Sequence, residues 1–252
     1  MKISFVIPTL GLRPIELSKC IHSILLNSSS ITKEILIVNQ SDYENDIKSH
    51  IGCDVAKIFN VKFKGLSKAR NYGATQSDGQ YLFFVDDDIV LPPETITKSL
   101  NIMEKEHYCG LFLRLVNING KTSTVGLQKE KSSLLTIKDF ERKFLEGAAI
   151  FKKEIFLRYR FNENLGTGTF HGSSEGYDLV YRMLQNGEKL FYASNLTAIH
   201  PDVATIKHNK NSVLRSFKYA CGDSAVLISH KLYWKLFLKF LKVFCRILLH
   251  SI

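Results

Sequence analysis

The chain predicts an α/β fold: a single domain with a mostly parallel central sheet flanked by helices, followed by a C-terminal amphipathic helical tail. Three observations carry that prediction. Runs that are apolar at all or nearly all positions, at residues 3–7, 35–38 and 81–85, suit strands covered on both faces. Stretches with helical spacing separate these runs, and strands alternating with helices build parallel sheets. Each run stops at a polar residue, Thr9, Asn39 or Asp86, and parallel sheets gather ligands at such strand ends.

Residues 3–7 form the first strand, ended by Pro8. Ile15, Ile21, Ile24 and Leu25 mark a helix, and residues 35–38 a second strand that runs into the polar cluster 39–42. A weaker strand covers 55–59, and residues 66–75 read as a helix. The strand at 81–85 is the most apolar of the series. Residues 109–116, Asn119-Gly120 and 122–127 read as a hairpin, and 147–151 as another strand. Gly, Ser, Thr and Asn crowd 162–174, which predicts a mobile loop. A helix then occupies 175–185, with Gly187 placed to stop it. Apart from Ser28-Ser29-Ser30 there is no low-complexity run, and nothing of linker composition marks a second independent domain; the domain is expected over 1–230 and the tail over 231–252.

Composition narrows the function. With 45% apolar and 23% charged residues, the 252-residue chain is globular rather than disordered. Cys20, Cys53, Cys109, Cys221 and Cys245 show no metal-ligand or redox spacing, which fits reduced thiols in the cytosol. The opening apolar run is too short for the core of a signal peptide. The formal charge of +10 is not spread as a nucleic-acid face would be. Beyond Asp223 no acidic residue occurs, and Lys231, Lys235, Lys239, Lys242 and Arg246 supply half of the excess. No nucleic-acid partner is expected.

Asp86, Asp87 and Asp88 follow the third strand directly. On an extended chain Asp86 and Asp88 point to one side. Two such carboxylates suit a hard divalent cation, Mn²⁺ or Mg²⁺, with substrate phosphates completing its shell. Three like charges at the edge of a buried strand repel one another unless a cation is close by.

These residues, with five further segments in order, resemble the inverting glycosyltransferases of family 2, which have the GT-A fold and an Asp-x-Asp motif in this place. The other segments are Val6-Ile7-Pro8-Thr9 with Arg13; Ile37-Val38-Asn39-Gln40-Ser41; Gly65-Leu66-Ser67-Lys68-Ala69-Arg70-Asn71-Tyr72-Gly73; Glu175-Gly176-Tyr177-Asp178-Leu179 with Arg182; and His200. The likeness covers about residues 2–230. It implies transfer of a sugar from a UDP- or dTDP-linked donor to a saccharide or lipid-linked hydroxyl acceptor, in cell-surface polysaccharide or glycolipid synthesis. Pro8, Thr9, Arg13, Asn39, Ser41, Lys68, Arg70, Asn71, Asp86 and Asp87 are then the nucleotide-sugar contacts. Asp88 is the leading metal ligand, Asp86 faces the ribose or shares the metal, and His200 is the third ligand. Lys68 and Arg70 add positive charge near the diphosphate, while Asn71 and Gly73 shape the turn around the donor.

Two departures stand out. Relatives usually carry Glu-Asp at 175–176, the aspartate being the base, whereas this chain has Gly176. Either Glu175 removes the acceptor proton, or Asp178 does, one helical turn on and on the same face, or activity is impaired. Glu175 is favoured because it opens the helix beside the Gly-rich loop. At 39, where relatives often use aspartate to read the nucleobase, an asparagine can still donate to and accept from a uracil-like edge, so the base is open.

In the tail the five cations are spaced 4, 4, 3 and 4 apart, one stripe on a helix otherwise apolar and aromatic. A transmembrane role is disfavoured, since each cation costs about 2.5–3.5 kcal/mol at mid-bilayer. A helix lying in the interface over 231–249, its cations among anionic headgroups, fits better than one packed on the domain or in a dimer contact. That places the protein in the cytoplasm, peripheral on the inner face of the cell membrane. The rivals are a sugar nucleotidyltransferase, weakened because residues 8–13 contain only Gly11, and a non-catalytic nucleotide-sugar-binding module, which Gly176 keeps open.

Overall fold

The computed structural model describes residues 1–27, 31–41, 47, 55–122, 128–201 and 209–250, with backbone alone at 243 and 245–250. The serine run 28–30, Asp42, Cys53, residues 123–127 of the expected hairpin and the side chains of Cys245 and Arg246 lie outside that description. In chain order the elements are β1 (Lys2–Thr9), α1 (Pro14–Leu26), β2 (Thr32–Asn39), β3 (Lys57–Asn60), α2 (Leu66–Gln76), β4 (Tyr81–Val85), α3 (Thr95–Lys105), β5 (Gly110–Val116), β6 (Ser133–Leu134), β7 (Ala148–Lys152), α4 (Lys153–Tyr159), α5 (Glu175–Gln185), β8 (Leu190–Ile199), α6 (Lys210–Ser229) and α7 (Tyr233–His250).

One sheet holds them in the order β3-β2-β1-β4-β7-β5-β8-β6. β3, β2, β1 and β4 run parallel, as do β5 and β8. β7 is antiparallel to both of its neighbours, and β6 is antiparallel to β8. Four of the seven pairings among these strands are therefore parallel, and the expected mostly parallel α/β sheet is present. The antiparallel insertion of β7 has a consequence for the site: its first residues lie beside the last residues of β4, with Val85 opposite Ala148.

Both sheet faces are covered, which is why the strands read as continuous apolar runs. Phe5, Ile7, Phe83 and Val85 face a core closed by α1 and α3 through Leu17, Ile21, Ile24, Ile96 and Leu100. Val6, Leu82 and Phe84 face the other, closed by α2, α4 and α5 through Ala74, Phe156, Leu179 and Val180. Helix α2 lies so close to β1 that a Cβ at Gly73 would overlap the Val6 side chain and come 3.2 Å from Val38 Cγ2. Gly73 thus packs helix on sheet; it does not open the backbone to a donor.

Several expectations need correcting. Ile15 and Leu25 are exposed, and α1 buries Leu17, Cys20, Ile21 and Ile24 instead. β5 pairs with β7 and β8, so residues 109–122 make a turn with a single bridge, Val116 to Thr122, and no hairpin ladder among the described residues. The loop 162–174 is pinned: Leu165 C=O accepts from Ser67 Oγ, Thr167 C=O from the Leu66 amide and Lys218 C=O from the Gly172 amide. Helix α6 carried no readable stripe because it buries only Gly222, Val226 and Leu227.

The tail is helical, but its faces are arranged differently from the expectation. Lys235 pairs with Glu141 and Lys239 with Asp223, so these two cations face the domain. Tyr233, Trp234, Phe237, Phe240, Leu241 and Phe244 are exposed, forming an outward apolar stripe. No described helix is long and apolar enough to cross a membrane.

Candidate active site

The carboxyl ends of β1, β2 and β4 lie on one edge of the sheet, and a cleft of about 730 Å³ opens there. Its floor is the segment after β4. The chain does not stay extended beyond Asp86: its amide still donates to the Gly147 carbonyl beside β7, but its carbonyl accepts from the Ile89 amide at 3.1 Å, closing a tight turn at Asp87 and Asp88. The expected alternation of Asp86 and Asp88 therefore fails. Asp87 and Asp88 share one cation, Arg13, whose Nη2 lies 2.7 Å from Asp87 Oδ1 and whose Nη1 contacts Asp88. Asp86 turns to Arg70 instead, 2.7 Å from its Nη2.

Each carboxylate has its own surroundings. Asp87 also accepts from Thr9 Oγ1 at 2.7 Å. Burial pushes its carboxyl up to about 6, with Asp88 and Asp86 adding to the rise against the pull of Thr9 and Arg13. Asp88 Oδ1 is buried without a hydrogen-bond partner, and His200 Nε2 lies 3.5 Å from it. The other ring nitrogen of His200 is 2.6 Å from the Pro201 carbonyl oxygen. A carbonyl only accepts, so Nδ1 carries the proton when the ring is neutral and Nε2 offers its lone pair toward Asp88.

That arrangement fits a divalent cation with two protein ligands, Asp88 and His200, the remaining positions being left to phosphate and water. Asp86 does not join them, and no group of three His, Cys, Asp or Glu side chains gathers among the described residues. The physical reason is the turn, which sends Asp86 to the Arg70 side of the cleft.

Arg70 is the centre of that side. Although it stands in helix α2, it is 1% exposed and lies 2.7 Å from Asp86, 3.7 Å from Glu175 and 4.0 Å from Glu146. Desolvation opposes its charge, but the three carboxylates outweigh it and hold the guanidinium protonated. Glu175 opens α5 and is buried. Burial first, then the Glu146 carboxylate, push the Glu175 carboxyl up to about 8 against Arg70. Glycines make room for this cluster: a Cβ at Gly147 would strike the Asp86 carboxylate, and one at Gly166 would come 2.9 Å from Glu175 Cδ.

The other predicted residues divide between the cleft and its surroundings. Pro8, Thr9 and Arg13 line the cleft. Asn39 is buried with its amide already engaged, Nδ2 donating to Asn60 and Oδ1 accepting from the Ser41 amide and hydroxyl, so it positions Ser41 beside the β1 loop. Lys68 is exposed, its ammonium 4.8 Å from the Phe63 ring centroid, and it does not line the cleft; Lys64, just before α2, does. Asn71 is spent inside, donating to the Phe161 carbonyl and accepting from the Phe161 amide. Asp178 does not share the cleft with Glu175: Arg182 holds it at 2.8 Å and His230 at 2.9 Å.

Glu146 was missed by the sequence reading, as were Tyr219 and Arg215 of α6, which also line the cleft. Glu146 stands just before a strand. Only the antiparallel direction of β7 brings that start to the edge where β4 ends, and no local pattern encodes it.

A family model described as Glycosyl transferase family 2 matches residues 4–174. An uncharacterised glycosyltransferase of Haemophilus influenzae is 25% identical over 188 residues, 73% of this chain and 62% of that protein. The GalNAc(5)-diNAcBac-PP-undecaprenol beta-1,3-glucosyltransferase of Campylobacter jejuni is 30% identical over 178 residues, 64% of this chain and 55% of its own length. The chain thus spans about three fifths of these relatives. Among solved structures, S. aureus TarS 1–349 in complex with UDP-GlcNAc superposes with a TM-score of 0.64 at 18% identity, over 82% of this chain and 60% of that one. At that identity the likeness shows the fold, which is GT-A-like.

Proposed function

Because the chain belongs to glycosyltransferase family 2, we propose that it moves a sugar from a nucleotide diphosphate donor to a hydroxyl acceptor by inverting displacement. The observation that carries this reading is the division of one cleft into two charged halves. Arg13 with Asp87, Asp88 and His200 forms one half, and Arg70 with Asp86, Glu146 and Glu175 the other. The first is suited to a diphosphate and its cation, the second to a sugar and an attacking hydroxyl.

The donor is UDP- or dTDP-linked in this reading. Thr9, Arg13 and Ser41, at the ends of β1 and β2, flank its nucleoside; Asn39 acts through Ser41. Arg13 is half exposed and can swing from Asp87 and Asp88 to phosphate oxygens. Asp88 and His200 would hold Mn²⁺ or Mg²⁺, which when bound supplies positive charge to the leaving diphosphate. Asp86, fixed by Arg70, points at the ribose or the sugar. The carboxyl pair at the head of α5, which includes Glu175, receives the acceptor proton.

The acceptor is a saccharide or lipid-linked saccharide in cell-surface polysaccharide or glycolipid synthesis. Two features support a membrane setting: the outward aromatic stripe of α7, and the undecaprenol-linked acceptor in the name of the Campylobacter relative. An interfacial helix would bury such a stripe at the headgroup boundary, peripheral on the inner face of the cell membrane, with Lys242 free of the two domain ion pairs to meet anionic lipid.

Calorimetry with UDP-GlcNAc, UDP-glucose and dTDP-glucose, each with and without Mn²⁺, tests the reading. At least one donor should bind, about tenfold more tightly or better with the metal, and Asp88→Ala should abolish that gain. Binding of no donor, or binding indifferent to both metal and Asp88, refutes it.

A further inference from the structure

The reading above leaves open which carboxyl takes the acceptor proton, and the space around Gly176 answers it. Glu146 and Glu175 face one guanidinium, Arg70 Nη1 lying 4.0 Å from the first and 3.7 Å from the second, and the Glu146 carboxylate helps to push the Glu175 carboxyl up. Position 176, the next residue of α5, has no side chain, and the volume a side chain would use there is filled. A Cβ built on Gly176 would lie 2.9 Å from Glu146 Cδ, closer still to its Oε2, and 3.0 Å from Phe144 Cε2. The carboxylate that α5 lacks at 176 has thus been delivered by the segment that enters β7.

The two members of the pair are not equivalent. Both line the cleft, but the Glu175 side chain is 6% exposed, with Gly166 packed against it, whereas that of Glu146 is 21% exposed. Burial disfavours negative charge most on the deeper of two neighbouring carboxyls, here Glu175. We propose that Glu146 is the general base of the transfer and that Glu175 is its positioning partner, keeping its own proton so that Glu146 is left to accept the one from the acceptor.

The step balances. The acceptor O–H proton passes to a Glu146 oxygen while the acceptor oxygen forms a bond to the anomeric carbon. The bond from that carbon to the donor diphosphate breaks, its electron pair leaving on the diphosphate, and the configuration inverts. Glu146 then releases the proton to solvent, to which it is open. Arg70, 4.0 Å from Glu146 and 3.7 Å from Glu175, holds the pair without neutralising it completely.

This assignment rests on the glycosyltransferase reading, and the experiment separates the two. Full-length protein is assayed for UDP release from UDP-GlcNAc and UDP-glucose with Mn²⁺, water serving as the acceptor, alongside calorimetric donor affinity. Glu146→Gln should lower kcat by roughly a hundredfold or more, with donor Kd within about threefold of the parent. Glu146→Ala with Gly176→Asp, which returns a carboxylate to the same volume from the helix side, should recover at least about tenfold over Glu146→Ala alone. Glu146→Gln retaining more than about a third of kcat, or a double variant that folds and binds donor but recovers nothing, overturns the assignment. Should Glu146→Ala fail to fold, Glu146→Asp decides: it keeps the charge, withdraws it by one methylene, and should lower kcat with donor Kd intact. If the parent protein binds no donor and releases no UDP, the transferase reading itself falls and takes the base with it.

Discussion

Replacing Arg70 with methionine removes one cation from the middle of three carboxylates while nearly preserving side-chain length. The guanidinium is 1% exposed, and its Nε and Nη1 have no hydrogen-bond partner, so it is held by charge rather than by a complete set of hydrogen bonds. Removing one member of a buried ion pair costs about 3–5 kcal/mol, because the other charge is left without a counter-charge. The Asp86 side chain is 35% exposed and water compensates part of its loss, which places the expectation at the low end, about 3 kcal/mol. For a chain of this size that corresponds to a fall in Tm of roughly 6–12 °C. The sign with pH follows from the same charges. Arg70 is one of the influences that lower the Glu175 carboxyl, so without it that carboxyl stands further above about 8 in the folded chain. Parent and variant lose the Glu175 contribution alike up to about pH 8, and the gap between them widens above it. Thermal unfolding followed by circular dichroism at about pH 6 and about pH 9 measures it. A Tm within about 2 °C of the parent at the lower pH, or a gap no larger at the higher one, would refute the claim that Arg70 balances this carboxylate cluster.

Two further outcomes are expected. Glu175, raised to about 8 from an ordinary value of 4.5, keeps its proton in the folded chain where the unfolded chain loses it. Its contribution is therefore complete below about pH 4.5 and is lost as pH climbs through 8, and Glu175→Gln, which imitates the protonated group, should flatten that part of the urea-midpoint profile; an unchanged slope counts against the raised carboxyl. Ending the chain before Lys231 removes the exposed aromatic stripe of α7 and should reduce cosedimentation with anionic phosphatidylglycerol vesicles by about tenfold or more, whereas equal pelleting would return the helix to a role within the domain.

How much was legible in the sequence differs by kind of structure. β1, β2 and β4 were readable because a strand covered on both faces is apolar at most positions, and that pattern is written in consecutive residues. Helix α5 was readable for the matching reason: its buried positions recur with helical period, and Gly187 stops it at φ 78°. Helix α6 lacks such a stripe, since it covers the cleft more than it fills a core. Thr9, Arg13, Asp86–Asp88, Arg70, Glu175 and His200, which the motifs singled out, all line one cleft.

The sequence by itself determined the α/β class, the strand edge where the cleft opens and the residue types gathered there, because periodicity and strand ends are local properties of the chain. Only the tertiary structure decided the partners. A turn replaced the expected alternation, so Asp86 went to Arg70 and Asp88 to His200. Asp178 was taken out of the cleft by Arg182 and His230, and Lys68 was left in solvent. The antiparallel course of β7 brought Glu146 into the space at Gly176 from thirty residues away. Such pairings depend on the direction in which distant segments cross the sheet, which no neighbouring residue specifies.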